Sequence, residues 1–368
     1  MKVAFCNRPQ WDTPLGGDGV QMLKTKEALE RRYDIAIDII TNPNDLNQGY
    51  DIIHVFNLLT YEISASFVKK GKSLGVPVVI SSIFWDYTYI YDWLTNLFIY
   101  NKLSAFSAKM IRAVTHLSAR VLCRPVFLSR VFRRELINCC EISSAVLPNS
   151  IEESNLLQHF LRIDLGKKVT VVFNGTDVST DREQIISSEE FHMKYKIPRN
   201  YVLQVGRIEP LKNQINLLYA LRHNREIPIV FLGKISNALY YKKVKRMAEK
   251  RGNVFFIDAV PHDQVAAFYK YASVHVLLSL RESPGLVSLE AQVWGCPIVV
   301  AEAAYAPVET YFRSDAYVVN PFDFNEISQA ILQAYDAPRK VSSEMNFTWD
   351  VAAKQTFGVY KDILSSKI

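Results

Sequence analysis

The chain has 368 residues, 49% hydrophobic and 22% charged, a balance that excludes a disordered chain and a length that points to two domains. Its 43 Lys+Arg against 37 Asp+Glu leave +6, which matters for anionic partners only where the cations cluster. The five cysteines (Cys6, Cys123, Cys139, Cys140, Cys296) are scattered, odd in number and without paired metal-ligand spacing, which argues against a disulfide framework and for a reducing compartment.

Met1-Lys2 leads straight into Val3-Ala4-Phe5-Cys6, too short for a signal-peptide core, and no uncharged apolar run reaches transmembrane length. The expectation is a cytoplasmic protein. Short apolar runs then alternate with helical patterns, the mark of an α/β chain with parallel sheets. Strands are expected at Lys2–Cys6, Asp34–Ile40, Ile52–Val55, Val76–Ser81, Ala145–Leu147 and Val169–Phe173. Between the first two lie Leu15-Gly16-Gly17-Asp18-Gly19 and a helix from Val20 to Arg32. Glycines after a first strand let backbone approach a ligand, although an ordinary flexible turn explains them equally. The dinucleotide spacing G-x-G-x-x-G does not follow the strand. His54 ends one strand and Asp86 follows another, and carboxyl ends of parallel strands face the ligand crevice. A lone strand-end histidine can instead be a satisfied structural residue. Asp86, flanked by Trp85 and Tyr87, fits a sugar-binding carboxylate, and turn chemistry also accounts for it.

Residues 87–140 open with Tyr87, Tyr89, Tyr91, Trp93, Phe98 and Tyr100, and hold no acidic residue from Trp93 to Arg134. Lys102, Lys109, Arg112, His116, Arg120 and Arg124 fall on one helical stripe, beside Leu103, Met110, Val114, Leu117 and Val121. A basic, acid-free amphipathic segment with aromatics suits anionic lipid head groups, against the alternative of a solvated outer helix face. No nucleic-acid-reading motif accompanies it, so no nucleic-acid partner is expected.

A second alternating series follows a polar stretch ending at Pro198: Tyr201–Val205, Ile229–Leu232, Val254–Ile257, Val274–Leu278, Pro297–Val300 and Tyr317–Val319. Two doubly wound domains facing a central cleft are the economical architecture. The first of these strands runs into Gly206-Arg207-Ile208-Glu209-Pro210-Leu211-Lys212-Asn213. Gly206 permits a sharp turn, while Arg207 offers a planar fork and Lys212 a point charge, together suited to a diphosphate. The fourth runs into Leu280-Arg281-Glu282-Ser283-Pro284-Gly285-Leu286-Val287-Ser288-Leu289-Glu290. Ser283, Pro284 and Gly285 are expected to open a helix whose free N–H groups form an anion site, with a carboxylate on either side for hydroxyls.

Gly206-Arg207 with Lys212-Asn213, then Glu282 and Glu290 with seven residues between them, then Ala291 and Gly295-Cys296-Pro297-Ile298-Val299, resemble the retaining nucleotide-sugar glycosyltransferases of family 4. The likeness spans nearly the whole chain, with Leu15-Gly16-Gly17, Val172-Phe173-Asn174-Gly175-Thr176-Asp177 and Phe347-Thr348-Trp349 as further points. The resemblance implies the GT-B fold, with two Rossmann-like domains: 1–178 binding the acceptor, 179–345 binding the nucleotide sugar, and 346–368 a helix (Trp349–Leu364) returning to the first. It implies that Arg207 and Lys212 hold the donor diphosphate with Gly206, Gly285 and the backbone of Leu286 and Val287. Glu290 would accept from the ribose and Glu282 from sugar hydroxyls near the anomeric carbon, with Ala259 beside the base. Gly16, Gly17, His54 and Asp86 would face the acceptor. Where the family places glycine and an aromatic after the first glutamate, this chain has Ser283 and Pro284, and Trp85-Asp86 replaces a customary histidine.

The implied reaction moves a sugar, with retention, to a glycan or lipid-linked acceptor hydroxyl, as in bacterial surface-glycan synthesis at the inner membrane face. Neither metal nor cofactor is expected: Arg207, Lys212 and a helix end can stabilise a leaving diphosphate, and no D-x-D motif is present. Closure of the two domains would exclude water. The alternatives are a nucleotide-sugar epimerase of the same fold and a non-catalytic basic binding protein.

Overall fold

The computed structural model describes residues 1–12, 16–85, 130–176, 185–312, 315–340 and 347–366. The chain divides into two compact units, Met1–Gly175 with Asn346–Ile368, and Thr176–Met345.

The first unit runs β1 (Lys2–Cys6), α1 (Gly17–Arg32), β2 (Ala36–Ile40), β3 (Ile52–Phe56), α2 (Tyr61–Leu74), β4 (Val78–Ser81), α3 (Arg130–Ile142), β5 (Ala145–Leu147) and α4 (Ile151–Leu161). Its five strands are all parallel, in the order β2-β1-β3-β4-β5. Every residue of β3, β4 and β5 is buried, which is why these strands read as unbroken apolar runs rather than alternating ones. The strand order reverses between β1 and β3, and such a point opens a crevice outside the carboxyl ends of the two strands. The expected strand over Val169–Phe173 does not form. Thr170 N–H bonds Val146 O at 3.1 Å and Val172 N–H bonds Pro148 O at 3.0 Å, leaving a single bridge at Val169. Pro148 has no N–H to return, so the ladder stops there. Glu153, 0% exposed, takes hydrogen bonds from the Ser82 hydroxyl, Phe84 N at 2.8 Å and Asn149 N at 3.1 Å, tying the chain beyond β4 to α4.

The second unit runs α5 (Ser188–Tyr195), β6 (Val202–Val205), α6 (Gln214–Ala220), β7 (Ile229–Leu232), α7 (Ala238–Arg251), β8 (Val254–Ile257), α8 (His262–Tyr271), β9 (Val274–Leu277), α9 (Leu286–Val293), β10 (Ile298–Ala301), α10 (Val308–Tyr311), β11 (Tyr317–Val319) and α11 (Phe324–Tyr335). Its six parallel strands lie in the order β11-β10-β9-β6-β7-β8. Here the order reverses between β6 and β9, so the crevice opens beyond Val205 and Leu277. No helix among the described residues is long and apolar enough to cross a membrane.

The last helix, α12 (Trp349–Ser365), belongs to the first unit. Asp350 in its first turn pairs with Arg31 and, at 2.9 Å, with Arg32 at the end of α1, placing cations where the helix dipole favours them. Tyr33 stacks on Phe357 with centroids 3.8 Å apart. Deeper in, the Tyr360 hydroxyl lies 2.5 Å from His54 Nδ1, and Ser81 Oγ lies 2.9 Å from His54 Nε2. His54, expected to face an acceptor, is therefore a core residue. It is 1% exposed, and both ring nitrogens are taken by groups that α12 and β4 bring to it. Gly175 lies against the start of α12 so closely that an added Cβ would sit 2.1 Å from Trp349 N and 2.3 Å from Thr348 C.

Gly175→Ala forces backbone apart and lowers stability by about 1–3 kcal/mol, read as a drop in urea midpoint; an unchanged midpoint contradicts the close approach. His54 and His275, buried on β3 and β9, have imidazoles pushed down to about 3, by burial in both and secondarily by the Lys212 charge at His275. Unfolded, each protonates near 6.5, so between about 6.5 and 3 the native state binds fewer protons. Stability is fully present above 6.5 and falls with pH below it, by up to about 1.4 kcal/mol per pH unit for each histidine. His275→Phe should flatten the decline in urea midpoint between pH 7 and 5, and an unaltered slope contradicts the assignment.

Candidate active site

Two loops meet at the reversal point of the second unit. The first leaves β6 through Gly206, whose φ of +145° lies in the region glycine tolerates. Gly233, after β7, packs so near that an added Cβ would sit 2.3 Å from Gly206 O. The loop ends in a 3₁₀ turn, Pro210–Lys212, and Asn213 takes a left-handed conformation before α6. Buried side-chain amides pin it. Gln204 donates to Lys212 O at 2.6 Å, and Gln214 donates to Arg207 O at 2.9 Å. The second loop leaves β9 and is zipped to the first, with Leu280 N–H donating to Leu211 O at 2.9 Å and Asn213 Nδ2 to Leu278 O at 3.1 Å. Glu282 N–H donates to Tyr305 O at 2.8 Å, fixing the carboxylate's origin.

This zipping brings Lys212 and Glu282 together. The ammonium donates to Glu282 Oε1, with side chains only 16% and 11% exposed. Arg207 is more open, at 47%, and its Nη2 lies 3.0 Å from Glu209 Oε1. The resemblance gave Lys212 and Glu282 to different parts of one donor; the structure joins them as an ion pair. In a half-buried setting such a pair is poorly screened, and removing one member leaves the other charge desolvated.

Beyond Glu282, helix α9 begins at Leu286, later than expected. Gly285, at φ +85°, occupies the cap position, and Ser283-Pro284 lie in the turn before it rather than in the first helical turn. The positive φ at Gly285 reverses the chain there, so Pro284 cannot be the helix's opening residue. Gly285 has no side chain with which to cap the helix, and the amides of Leu286 and Val287 form an end suited to an anion. One turn on, Glu290 Oε2 accepts from the Tyr269 hydroxyl at 2.9 Å, and Oε1 lies 3.9 Å from His262 Nε2. His275, fully buried on β9, lies 3.5 Å from Ser288 Oγ and is held neutral under the cradle.

Arg207, Lys212, Gly206, Glu282, Gly285, Leu286, Val287 and Glu290 are thus gathered at the carboxyl ends of β6 and β9. Ala259 stands apart, exposed after β8, two strands from β6. In the first unit Gly16 caps α1, and Gly17 opens it with nothing within 4 Å of an added Cβ. Next to them Asp18 accepts from Arg8 Nε at 3.4 Å and Asn57 Nδ2 at 3.2 Å. Gln21 Nε2 donates to Asn149 Oδ1 at 2.9 Å, and Asn174 Nδ2 donates to Gln21 Oε1 at 3.1 Å. This polar cluster beyond β1, β3 and β5 was missed from sequence, although Asp18 directly follows the glycines. Asp86 and the basic residues Lys102, Lys109, Arg112, Arg120 and Arg124 lie outside the described residues. No group of three or more His, Cys, Asp or Glu among the described residues could hold a metal ion. The buried thiols of Cys139, Cys140 and Cys296 are pushed up to about 12, chiefly by burial.

Known proteins resemble the chain in sequence and in fold. Residues 187–348 match the family Glycosyl transferases group 1. D-inositol 3-phosphate glycosyltransferase of Corynebacterium aurimucosum is 24% identical over 265 residues, covering 65% of this chain. The chain spans 61% of the length of that relative and 58% of its counterpart from Corynebacterium diphtheriae. Sucrose-phosphate synthase from Thermosynechococcus elongatus superposes with a TM-score of 0.70 at 16% identity, covering 99% of each chain. Anabaena HepE, in complex with UDP and glucose, superposes at 0.63 and 15% identity, covering 100% of this chain and 99% of its own. The chain thus matches a group 1 glycosyltransferase family over residues 187–348, and its two parallel-sheet α/β units have the GT-B fold.

Proposed function

We propose that the chain is a retaining glycosyltransferase of family 4 that moves a sugar from a nucleoside-diphosphate sugar to an acceptor hydroxyl. The observation that carries this reading is the Lys212–Glu282 pair beside the start of α9. The donor diphosphate would lie against Lys212, Arg207 and the amides of Leu286 and Val287, with its ribose at Glu290. As the phosphate takes up the ammonium, the Glu282 carboxylate turns to hydroxyls of the transferred sugar. The bond from the anomeric carbon to the diphosphate oxygen breaks and a bond to the acceptor oxygen forms on the same face. The leaving phosphate receives the acceptor proton. The negative charge growing on the diphosphate is what the cations and the helix end stabilise. The relatives' names speak for transfer rather than epimerisation. For the acceptor we propose a glycan or lipid-linked hydroxyl at an anionic membrane surface, as in the assembly of a bacterial surface glycan, on the strength of the acid-free basic stretch within 87–140.

Incubation with UDP-, GDP- and ADP-sugars, and with D-inositol 3-phosphate or a lipid-linked acceptor, should yield a glycoside of the donor's anomeric configuration. Lys212→Ala and Glu282→Ala should each reduce kcat about 10²–10³-fold in protein that circular dichroism shows to be still folded at the assay temperature, with a lowered melting temperature from the unpaired charge. Full turnover by either variant would sink the assignment. Sedimentation with vesicles should show binding to anionic and not to neutral lipid. Exchanging Lys109, Arg112 and Arg120 for Glu should abolish that binding and spare hydrolysis of the donor, whereas equal, negligible binding to both vesicles ends the membrane proposal.

A further inference from the structure

Glu290 has a partner that the donor reading leaves unexplained. Tyr269, 1% exposed on α8, donates its hydroxyl to Glu290 Oε2 at 2.9 Å. The tyrosine is itself fixed from two other sides. Its ring meets His275 edge-on with centroids 5.7 Å apart, and Arg339 Nη2 donates to its backbone carbonyl at 2.8 Å. Burial, and after it the Glu290 charge, push the phenol well above its ordinary value, so the hydroxyl keeps its proton and donates. A glutamate has three side-chain torsions and samples many rotamers unless something holds it, whereas a tyrosine locked in the core has almost none left to lose.

We propose that Tyr269 is a positioning residue for ribose recognition: its hydroxyl holds Glu290 in the rotamer that accepts the ribose hydroxyls and so sets the preference for ribonucleotide donors. This rests on the reading of Glu290 given above. A tyrosine that merely fastened α8 to α9 would support every ligand of the site alike. One that aims the carboxylate matters only to ligands that carry ribose hydroxyls.

The test is calorimetric titration of the full chain with UDP, GDP and ADP, each beside its 2′,3′-dideoxy form, taking the tightest-binding base as the readout pair. The wild type should prefer the ribose form by about tenfold or more, the worth of hydrogen bonds to a charged group. Tyr269→Phe should lose about three- to tenfold of that preference by weakening the ribose form alone, and adding it to Glu290→Gln should cost no further preference. Equal weakening of both forms, with the ratio kept, overturns the proposal and leaves the donor reading standing if Glu290→Gln still loses the preference. A Glu290→Gln variant with the wild-type ratio, or a chain that binds none of the three nucleotides, overturns the donor reading and the proposal with it. Should Tyr269→Phe fail to fold, Glu290→Asp, which draws the carboxylate away from the phenol by one methylene, carries the same comparison. Retention of the full ribose preference by that variant contradicts the proposal.

Discussion

The ion pair between Lys212 and Glu282 is the contact on which the second unit's site depends. It exists because β6 and β9 are neighbours in the sheet, with Val202 opposite Val274 and Leu203 opposite His275. Their outgoing loops must then run side by side, and the bonds Leu280 N to Leu211 O and Asn213 Nδ2 to Leu278 O keep them there. The pair stores an electrostatic attraction in a place too shielded for water to weaken it fully. A ligand that presents phosphate to the ammonium and hydroxyls to the carboxylate replaces both halves of that attraction at once. A ligand with only one of these groups leaves the other charge without compensation, which is a physical basis for selecting a molecule that carries both.

The surrounding sheet explains why charge of this kind is tolerated. His275 lies beneath, neutral and buried, and adds no competing cation. The amides of Gln204 and Gln214 hold the loop backbone at Lys212 O and Arg207 O, so Lys212 does not have to pay for ordering its own loop when a ligand arrives. Gly206 and Gly285 supply the positive φ values that turn the two loops outward, at +145° and +85°. The first unit shows the same logic at its own reversal point, where Asp18 is held by Arg8 and Asn57 beyond β1 and β3.

Much of the fold was legible because strands buried on both faces leave continuous apolar runs, as in Ile52–Phe56 and Ile298–Ala301. The failures have physical causes. Val169–Phe173 is apolar enough for a strand, but its neighbour Pro148 cannot complete the ladder. His54 has the position of a ligand-facing strand end, yet Tyr360, 306 residues away in sequence, occupies its Nδ1. No local pattern announces that contact. The donor-side residues were legible as types and spacing: Arg207, Lys212, Glu282 and Glu290 lie on two loops and one helix that the sequence marks with glycines. Their partners were not. Tyr269 reads as one more apolar position on α8, and only the packing of α8 against α9 reveals what its hydroxyl meets.

The proposed binding of a nucleotide sugar at the carboxyl ends of β6 and β9 is open to direct measurement. Hydrogen–deuterium exchange with and without the nucleoside-diphosphate sugar that most raises the melting temperature tests it directly. Exchange should slow in peptides covering Gly206–Asn213 and Glu282–Glu290, with peptides of α7 and α11 unchanged. Protection elsewhere, with those two segments exchanging as they do in the free chain, would contradict it.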